Sequence, residues 1–344
     1  MAAEVVLALD LGGTQVRAAG VLPGGAIAAV RRLRTPVEEG SDAIVAACIR
    51  ALRAVRDDLG ARGDIGRPTG IGVSAPGPVD PGAGIILDPP NMGPTFRDIP
   101  LVEYIGEALG LPVTLDRDTQ VAALGEGRFG AAAGCDDFLY LTVSTGVGGA
   151  IVTGGRLLRG PDGTAGELGH LVVDVHGPLC GCGMRGHLEA IASGSGIANR
   201  AREAAARGES ELIADLVRTR GAAFGGRDVA GAEDAGDPAA IRIMEDARDA
   251  FASACVSLTD VFNPSLIVVG GSLAAGQGDR LLGPARDAIA RGAFRRPASR
   301  VAIVAAALGD DVGLVGARVL FEARMTGVDH DPAAAAARIT GTPR

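Results

Sequence analysis

The feature that most constrains this chain is a plan of elements that occurs twice. Residues 5–10, 16–21 and 26–33 are short apolar, β-rich runs. Very short turns at Gly12-Gly13 and Pro23-Gly24-Gly25 separate them, which predicts a three-stranded antiparallel meander. A periodic segment follows, capped by Ser41 or Asp42, with Ile44, Val45, Cys48, Ile49, Leu52 and Val55 on one face and an end near Gly60. A strand at 70–74, a helix at 101–109 and a strand at 112–115 complete the first half. The order then returns. Residues 138–144, 149–152 and 168–173 read as three strands between Gly-rich turns, and helical text over 195–262 precedes a strand at 266–269. A helix at 280–291, a strand at 301–305 and a helix at 311–323 finish the pattern. This repeat predicts an α/β chain of two related lobes facing a cleft. The expected division is a first lobe over 1–116, joined by the C-terminal helix 311–323, then a second lobe over 117–310. An Ala-rich tail over 324–344 is expected to fray.

A chain of 344 residues can bury the cores of two such lobes, and 47% hydrophobic with 22% charged residues is globular composition. With 33 basic against 41 acidic residues the net charge is -8, so no basic field is present to collect phosphate backbones, and nucleic acid is not an expected partner. Every one of the 33 basic residues is arginine. The absence of lysine excludes Schiff-base chemistry, P-loop nucleotidases and protein kinases, each of which needs an amine at its centre. Residues 1–10 have no positive leader and run straight into a strand, and no apolar run approaches the roughly 20 residues that cross a bilayer. The expected location is the cytoplasm, with no membrane partner. Of five cysteines, Cys48, Cys135 and Cys255 are scattered and read as reduced core residues.

Four glycine or acid constellations carry chemistry. In Asp10-Leu11-Gly12-Gly13-Thr14, two glycines in a tight turn let the backbone approach an anion, so their N–H groups and the Thr14 hydroxyl can cradle a phosphate. Asp10, at the strand end, would face a phosphate-bound Mg²⁺ through water. The matching hairpin of the second half repeats the feature at Ser144-Thr145-Gly146-Val147-Gly148-Gly149. Gly270-Gly271-Ser272 follows a strand and precedes a helix, a place for a nucleotide's ribose and base. Asp116-Arg117-Asp118 sets two carboxylates between a strand and a helix; one can cap the helix, and the other can take a proton from an alcohol.

The fifth constellation gathers His170 with Cys180-Gly181-Cys182-Gly183 and His187. Two thiolates and two imidazoles suit a closed, structural Zn²⁺ site, with the glycines letting a short loop wrap the ion and His176 in reserve as a ligand. Glu167 and Glu189 flank the cluster. The fourth histidine, His330, lies near the tail.

Taken in order, Asp10-Leu-Gly-Gly-Thr14, Ser74-Ala-Pro-Gly-Pro78, Pro90-Asn91, Asp118 with Ala122-Ala-Leu-Gly-Glu126, Thr145-Gly-Val-Gly-Gly149, Gly166-Glu-Leu-Gly-His170, Cys180-Gly-Cys-Gly183 with Gly186-His-Leu-Glu189, and Phe262-Asn-Pro with Gly270-Gly271 closely resemble the ROK family of sugar kinases. The resemblance spans about residues 4–323. It implies a two-lobed actin-like, ribonuclease-H-like ATPase fold that closes on ATP, Mg²⁺ and a hexose, assembled as a homodimer or homotetramer. By the same resemblance Asp118 is the base that removes the proton of the sugar 6-hydroxyl, and Asn91, Glu167, His170 and Glu189 are sugar partners, with Gly77 and Arg117 at the sugar side. Asp10, Gly12, Gly13 and Thr14, with Thr145, Gly146 and Gly148, match the phosphate loops, and Gly270 and Gly271 the adenosine loop. His170, Cys180, Cys182 and His187 would hold the structural Zn²⁺.

Two departures stand out. Arg117 replaces the family's Asn, so a group that donates and accepts becomes one that only donates. Facing the sugar, it would favour a neutral polyol over an ammonium; turned away, it would pair with Asp116 or another acid. His187 replaces a third cysteine, a change Zn²⁺ tolerates. The expected activity is ATP-dependent phosphorylation of a hexose, glucose first. The alternatives are N-acetylmannosamine, N-acetylglucosamine, another amino sugar, fructose or a cyclitol. A sugar-responsive repressor is not expected, because only nine residues precede Asp10 and the charge is acidic; a dead sugar sensor is disfavoured by Asp118 and both phosphate turns.

Overall fold

The computed structural model describes residues 3–62 and 65–327. Strand β1 (Ala3–Leu11) is buried on both faces from Val5 through Leu9, so its unbroken apolar run marks a central strand. It pairs antiparallel with β2 (Gln15–Val21), which pairs antiparallel with β3 (Ile27–Arg34). Helix α1 (Ser41–Gly60) buries Ile44, Ala47, Cys48, Ala51, Leu52, Val55 and Leu59 at helical spacing. Its cap differs from the expected one. Gly40, at φ 90°, is the N-cap, and Ser41 already belongs to the helix.

Strand β4 (Ile65–Ala75) lies parallel to β1 on the side away from β2. After the small hairpin β5 (Val79–Asp80) and β6 (Ile85–Ile86) comes α2 (Leu101–Leu109), ended by Gly110 in the left-handed region. Strand β7 (Val113–Arg117) then adds parallel to β4, and α3 (Asp118–Phe129) follows without a break. The first sheet therefore runs β3-β2-β1-β4-β7.

The second sheet repeats that order. Strands β8 (Phe138–Val143), β9 (Val147–Thr153) and β10 (Arg156–Leu157) form its meander, and β11 (Leu266–Gly270) and β12 (Ala302–Ala305) add parallel to give β10-β9-β8-β11-β12. The fold is thus mixed α/β with two matching five-stranded sheets, the actin-like plan. The expected strand at 168–173 is absent. Residues 168–170 form a 3-10 turn, and Gly169 packs so tightly on β9 that an added Cβ would lie 1.9 Å from the Val147 carbonyl oxygen. The two-residue β10 takes the third place.

The helical text becomes four helices, α5 (Gly194–Ala206), α6 (Glu211–Arg220), α7 (Gly226–Asp234) and α8 (Pro238–Phe262), with the short α4 (Leu188–Ala192) before them. Caps explain three of the breaks, because the side chains of Ser193, Ser210 and Asp237 each accept a backbone N–H of the helix that follows. Helices α9 (Ser272–Gln277), α10 (Asp279–Gly292) and α11 (Arg295–Ala298) precede β12, and α12 (Val312–Thr326) closes the described chain. None of the described helices is long and apolar enough to cross a membrane.

Contacts divide the chain into one unit of Met1–Gly134, Arg156–Ala165 and Ala307–Arg344, and another of Cys135–Gly155 and Gly166–Ala306. The first boundary thus follows α3, where the sequence places it before α3. Close packing of α3 on α12 is the reason: a Cβ on Gly316 would lie 2.0 Å from the Val121 carbonyl oxygen. Residues 324–326, expected in the tail, are the end of α12. The rest of that tail from 328, His330 included, lies outside the described residues.

Helix α12 also needs Gly72, where a Cβ would sit 1.9 Å from the Ala317 carbonyl oxygen. Backbone on both sides leaves nothing flexible to give way. Gly72→Ala is expected to cost about 3 kcal/mol, read from the urea midpoint, and an unchanged midpoint would show that α12 can slide away from the sheet.

Candidate functional site

In the first unit three strand ends are level. Asp10 of β1 is in register with Ser74 of β4, which is in register with Asp116 of β7, and Arg17 of β2 lies directly opposite Asp10. Arg17 forms an ion pair with Asp10, its Nε donating to Oδ2 at 3.0 Å. Beyond β1, the Gly12 N–H closes the turn on Gln15, while Thr35 donates from its hydroxyl to the Gly12 carbonyl (2.6 Å) and from its N–H to the Thr14 carbonyl (3.0 Å). The remaining donors of the turn are the Gly13 and Thr14 N–H groups and the exposed Thr14 hydroxyl. A Cβ on Gly13 would lie 2.8 Å from the Asn91 carbonyl oxygen, so this turn and Asn91 are brought together.

The run beyond β7 separates its two carboxylates. Asp116 is buried and accepts both Nε (3.2 Å) and Nη2 (2.7 Å) of Arg159 at Oδ2, and the Arg117 N–H at Oδ1 (2.8 Å). Asp118 alone is exposed within 115–123. It is the first residue of α3, where the helix end favours negative charge, and its Oδ1 accepts the Thr119 N–H at 2.7 Å. Arg117 is buried, with Nε on the Thr119 hydroxyl (3.1 Å), Nη2 on the Ala165 carbonyl (3.0 Å) and its stem against Gly77. The guanidinium on Asp116 is therefore that of Arg159, which sequence reasoning missed. Glu126 was also missed: fully buried, it accepts the N–H groups of Ala131 (2.7 Å), Ala307 (3.0 Å) and Leu308 (2.9 Å).

In the second unit the turn between β8 and β9 is held from beneath. The Ser144 and Thr145 carbonyls accept the N–H groups of Gly194 (2.8 Å) and Ser195 (3.0 Å), and Glu189 Oε2 accepts the Val147 N–H at 3.0 Å. Thr145 is exposed at the tip; Gly146 has no room for a side chain, since a Cβ would lie 2.6 Å from Glu189 Oε2. Gly148 lies within β9, opposite Thr142. Glu167 is exposed next to the 3-10 turn that carries His170.

The ligand atoms of His170, Cys180, Cys182 and His187 all lie within 4.8 Å of one another. His187 Nδ1 is 3.0 Å from His170 Nδ1 and 3.2 Å from Cys182 Sγ. A tetrahedral zinc would set such atoms roughly 3.3–3.8 Å apart, so four lone-pair donors already crowd one point and the set fits a small divalent cation. Burial, and then the neighbouring His170, lower His187 from its ordinary value, which favours the neutral imidazole that binds a metal. Burial pushes the Cys180 thiol up, and its Sγ lies 3.9 Å from Glu189 Oε1. His176, the reserve ligand, is not part of the group.

A cavity of about 790 Å³ opens beside the Thr145 turn, lined by Ser144, Ser195, Asn199, Arg202, Phe224 and Ser272 among others. Gly270 and Gly271 build its edge without lining it. Gly271, at φ 95°, has no room for a side chain, since a Cβ would lie 2.4 Å from the Val143 carbonyl oxygen, and the next residue, Ser272, reaches Ser144 Oγ at 3.0 Å. The lining from α5 and α7 escaped sequence reasoning, although Ser193-Gly-Ser-Gly196 and Gly225-Gly226 carry the small residues that such a wall requires.

A model of the ROK family matches residues 6–324. The chain is 33% identical to the glucokinase of Thermotoga maritima over 322 residues, 94% of this chain and 98% of that one. It is 33% identical to the N-acetylmannosamine kinase of Escherichia fergusonii over 316 residues, 92% and 98% of the two chains. A crystal structure of a ROK family glucokinase from Streptomyces griseus in complex with glucose and AMPPNP is similar with a TM-score of 0.73 and 33% identity, over 91% of this chain and 97% of that one.

Thiol reactivity reads the cluster directly. Burial pushes Cys48 up to about 12 and raises Cys255 further, so neither is expected to label at pH 8 in the native protein. The exposed Cys182 should label rapidly after chelation and be protected when zinc is restored; equal labelling in both states would show that this thiol binds no metal.

Proposed function

Since the chain belongs to the ROK family, we propose that it is an ATP-dependent hexose kinase, a glucokinase, which transfers the γ-phosphoryl group to the 6-hydroxyl of glucose. The observation that carries this reading is the placement of Asp118, the one exposed side chain between buried neighbours at a strand-to-helix turn level with the phosphate turn of β1. Glucose and AMPPNP bound to the Streptomyces griseus relative support the same pair of substrates here.

In the proposed reaction the sugar oxygen attacks the γ-phosphorus as its bond to the β-γ bridging oxygen breaks. ADP departs, and Asp118 accepts the proton of the hydroxyl late in the transfer. Positioning and charge compensation supply most of the acceleration in such transfers, so the remaining residues act as holders. Donors of the Gly13-Thr14 and Thr145-Gly146 turns take phosphate oxygens. Asp10, oriented by Arg17, would hold Mg²⁺ through water, and the ion would supply charge neutralisation at the phosphates. Asn91, Glu167, His170 and Glu189 take sugar hydroxyls. The cavity lined by Ser195, Phe224 and Ser272 takes the adenosine.

The His170, Cys180, Cys182 and His187 group is assigned to a structural zinc. It performs no step; its four protein ligands close the site and stiffen the segment that carries His170 and Glu189. A cytoplasmic enzyme of the first step of sugar use fits five free thiols and an ATP substrate. A homodimer or homotetramer is the assembly the family implies. N-acetylmannosamine is the second substrate reading, carried by the Escherichia fergusonii relative.

Three measurements test these assignments. Asp118→Asn keeps the shape of the side chain and loses its basicity, so ADP release should fall to background while glucose binding stays within about tenfold; a variant keeping more than about a tenth of wild-type kcat would remove Asp118 from the base role. The same coupled assay over a sugar panel should rank glucose first, and a higher kcat/KM for N-acetylmannosamine would move the substrate there. Protein purified without added metal should carry close to one zinc per chain, lost in Cys182→Ser together with several degrees of Tm. Active, zinc-free protein would contradict the assignment.

A further inference from the structure

Two arginines and one short loop surround the turn that carries Asp118. Residues 159–165 form a closed loop, since the Ala165 N–H donates to the Arg159 carbonyl at 2.9 Å. Both ends of this loop dock on the same dipeptide. At one end Arg159 makes its buried ion pair with Asp116, two donors onto Oδ2. At the other, the Ala165 carbonyl accepts Arg117 Nη2 at 3.0 Å and Gln120 Nε2 at 3.5 Å. The next residue after this dipeptide is Asp118.

We propose that Arg159 is a positioning residue for phosphoryl transfer: through Asp116 it straps the 159–165 loop across the strand-to-helix turn and fixes where the Asp118 carboxylate points. The proposal rests on the kinase reading above and names a further residue for that reaction. Arg159 touches no reacting atom in this account and acts through its partner.

Charge and shape explain why arginine serves here. A planar guanidinium gives Asp116 two donors in a fixed fork, which sets an orientation as well as a distance. Asp116 is 1% exposed and Arg159 8%, so water cannot replace either partner. Removing Arg159 takes the guanidinium fork from a buried carboxylate next to the turn and leaves Arg324 Nη2 3.9 Å from its Oδ2. The turn would then move toward new partners. A base misplaced by about an ångström can cost on the order of 10²-fold in rate, whereas substrate binding depends on many other groups.

The test uses the full chain carrying Arg159→Gln or Arg159→Lys, with three readouts: steady-state kinetics, Tm, and hydrogen exchange of the amides at 116–120. Arg159→Gln is expected to lower kcat 10- to 100-fold with the KM for sugar and for ATP within about threefold, and to speed exchange at Thr119 and Gln120 at least tenfold. Lysine keeps the charge and loses the fork, so Arg159→Lys should fall between glutamine and wild type. Methylguanidinium added to Arg159→Ala should recover part of the lost kcat without raising Tm to the wild-type value. A folded Arg159→Gln with kcat within twofold of wild type and unchanged exchange would overturn the proposal, leaving the pair a stability element only. If Arg159→Gln does not fold, Arg159→Lys decides by the same readouts. If wild-type protein phosphorylates no sugar, the kinase reading fails, and unchanged exchange at 116–120 still overturns the strap by itself.

Discussion

The rest of the first unit depends on one constraint, the common level of three parallel strand ends. Backbone hydrogen bonds put Asp10, Ser74 and Asp116 in one row, and each is followed within a few residues by a segment to which the proposed function assigns chemistry: the Gly12-Gly13-Thr14 turn, the Gly77 turn and Asp118. Register in a sheet is fixed by the whole ladder, so no single loop can slip without unpairing its strand. The row is polar at a depth where polarity is costly, and guanidinium groups answer that cost at both sides, Arg17 on Asp10 and Arg159 on Asp116.

The second unit uses a different device for the same end. Glu189 reaches in two directions from α4, taking the Val147 N–H with one oxygen and lying by Cys180 with the other. One carboxylate thereby joins the turn between β8 and β9 to the cysteine loop. A metal that tightened the loop would be felt at the turn through a single side chain, and Gly146 is required there because that side chain fills the space a Cβ would need.

Lysine is missing throughout, and arginine does the structural work of cations in the core. Arg318, 1% exposed, donates to the Val21 carbonyl at 2.7 Å and to Glu322 at 2.6 Å. The buried Arg117 and Arg159 behave alike. A weakly hydrated, planar cation with several donors can satisfy carbonyls and carboxylates together, which a compact ammonium does less well in the same volume. The composition that excludes amine chemistry therefore also supplies the fasteners of the frame.

Much of this was legible in the sequence because it is local. Turn glycines, the apolar period of α1, the alternation of the first meander and the Cys180, Cys182 and His187 spacing all act within a few residues of themselves, and the repeat of the plan announced two matching sheets. What tertiary structure alone decided is which partner each polar group meets. Asp116 and Asp118 are the same residue type two positions apart, and only the arrival of Arg159, more than forty residues downstream, makes the first a buried anchor and leaves the second exposed. Arg117 likewise meets a carbonyl of the 159–165 loop, far from it in sequence, as well as its neighbour Thr119. The run at 168–173 has strand composition, yet Gly169 lets it press flat on β9 as a turn, and Glu126 became a clamp for residues 307 and 308 that its helix could not foretell. Propensity and periodicity are properties of neighbouring residues, whereas burial and pairing are settled by segments far apart in the chain, and the chemistry of a carboxylate follows from the second.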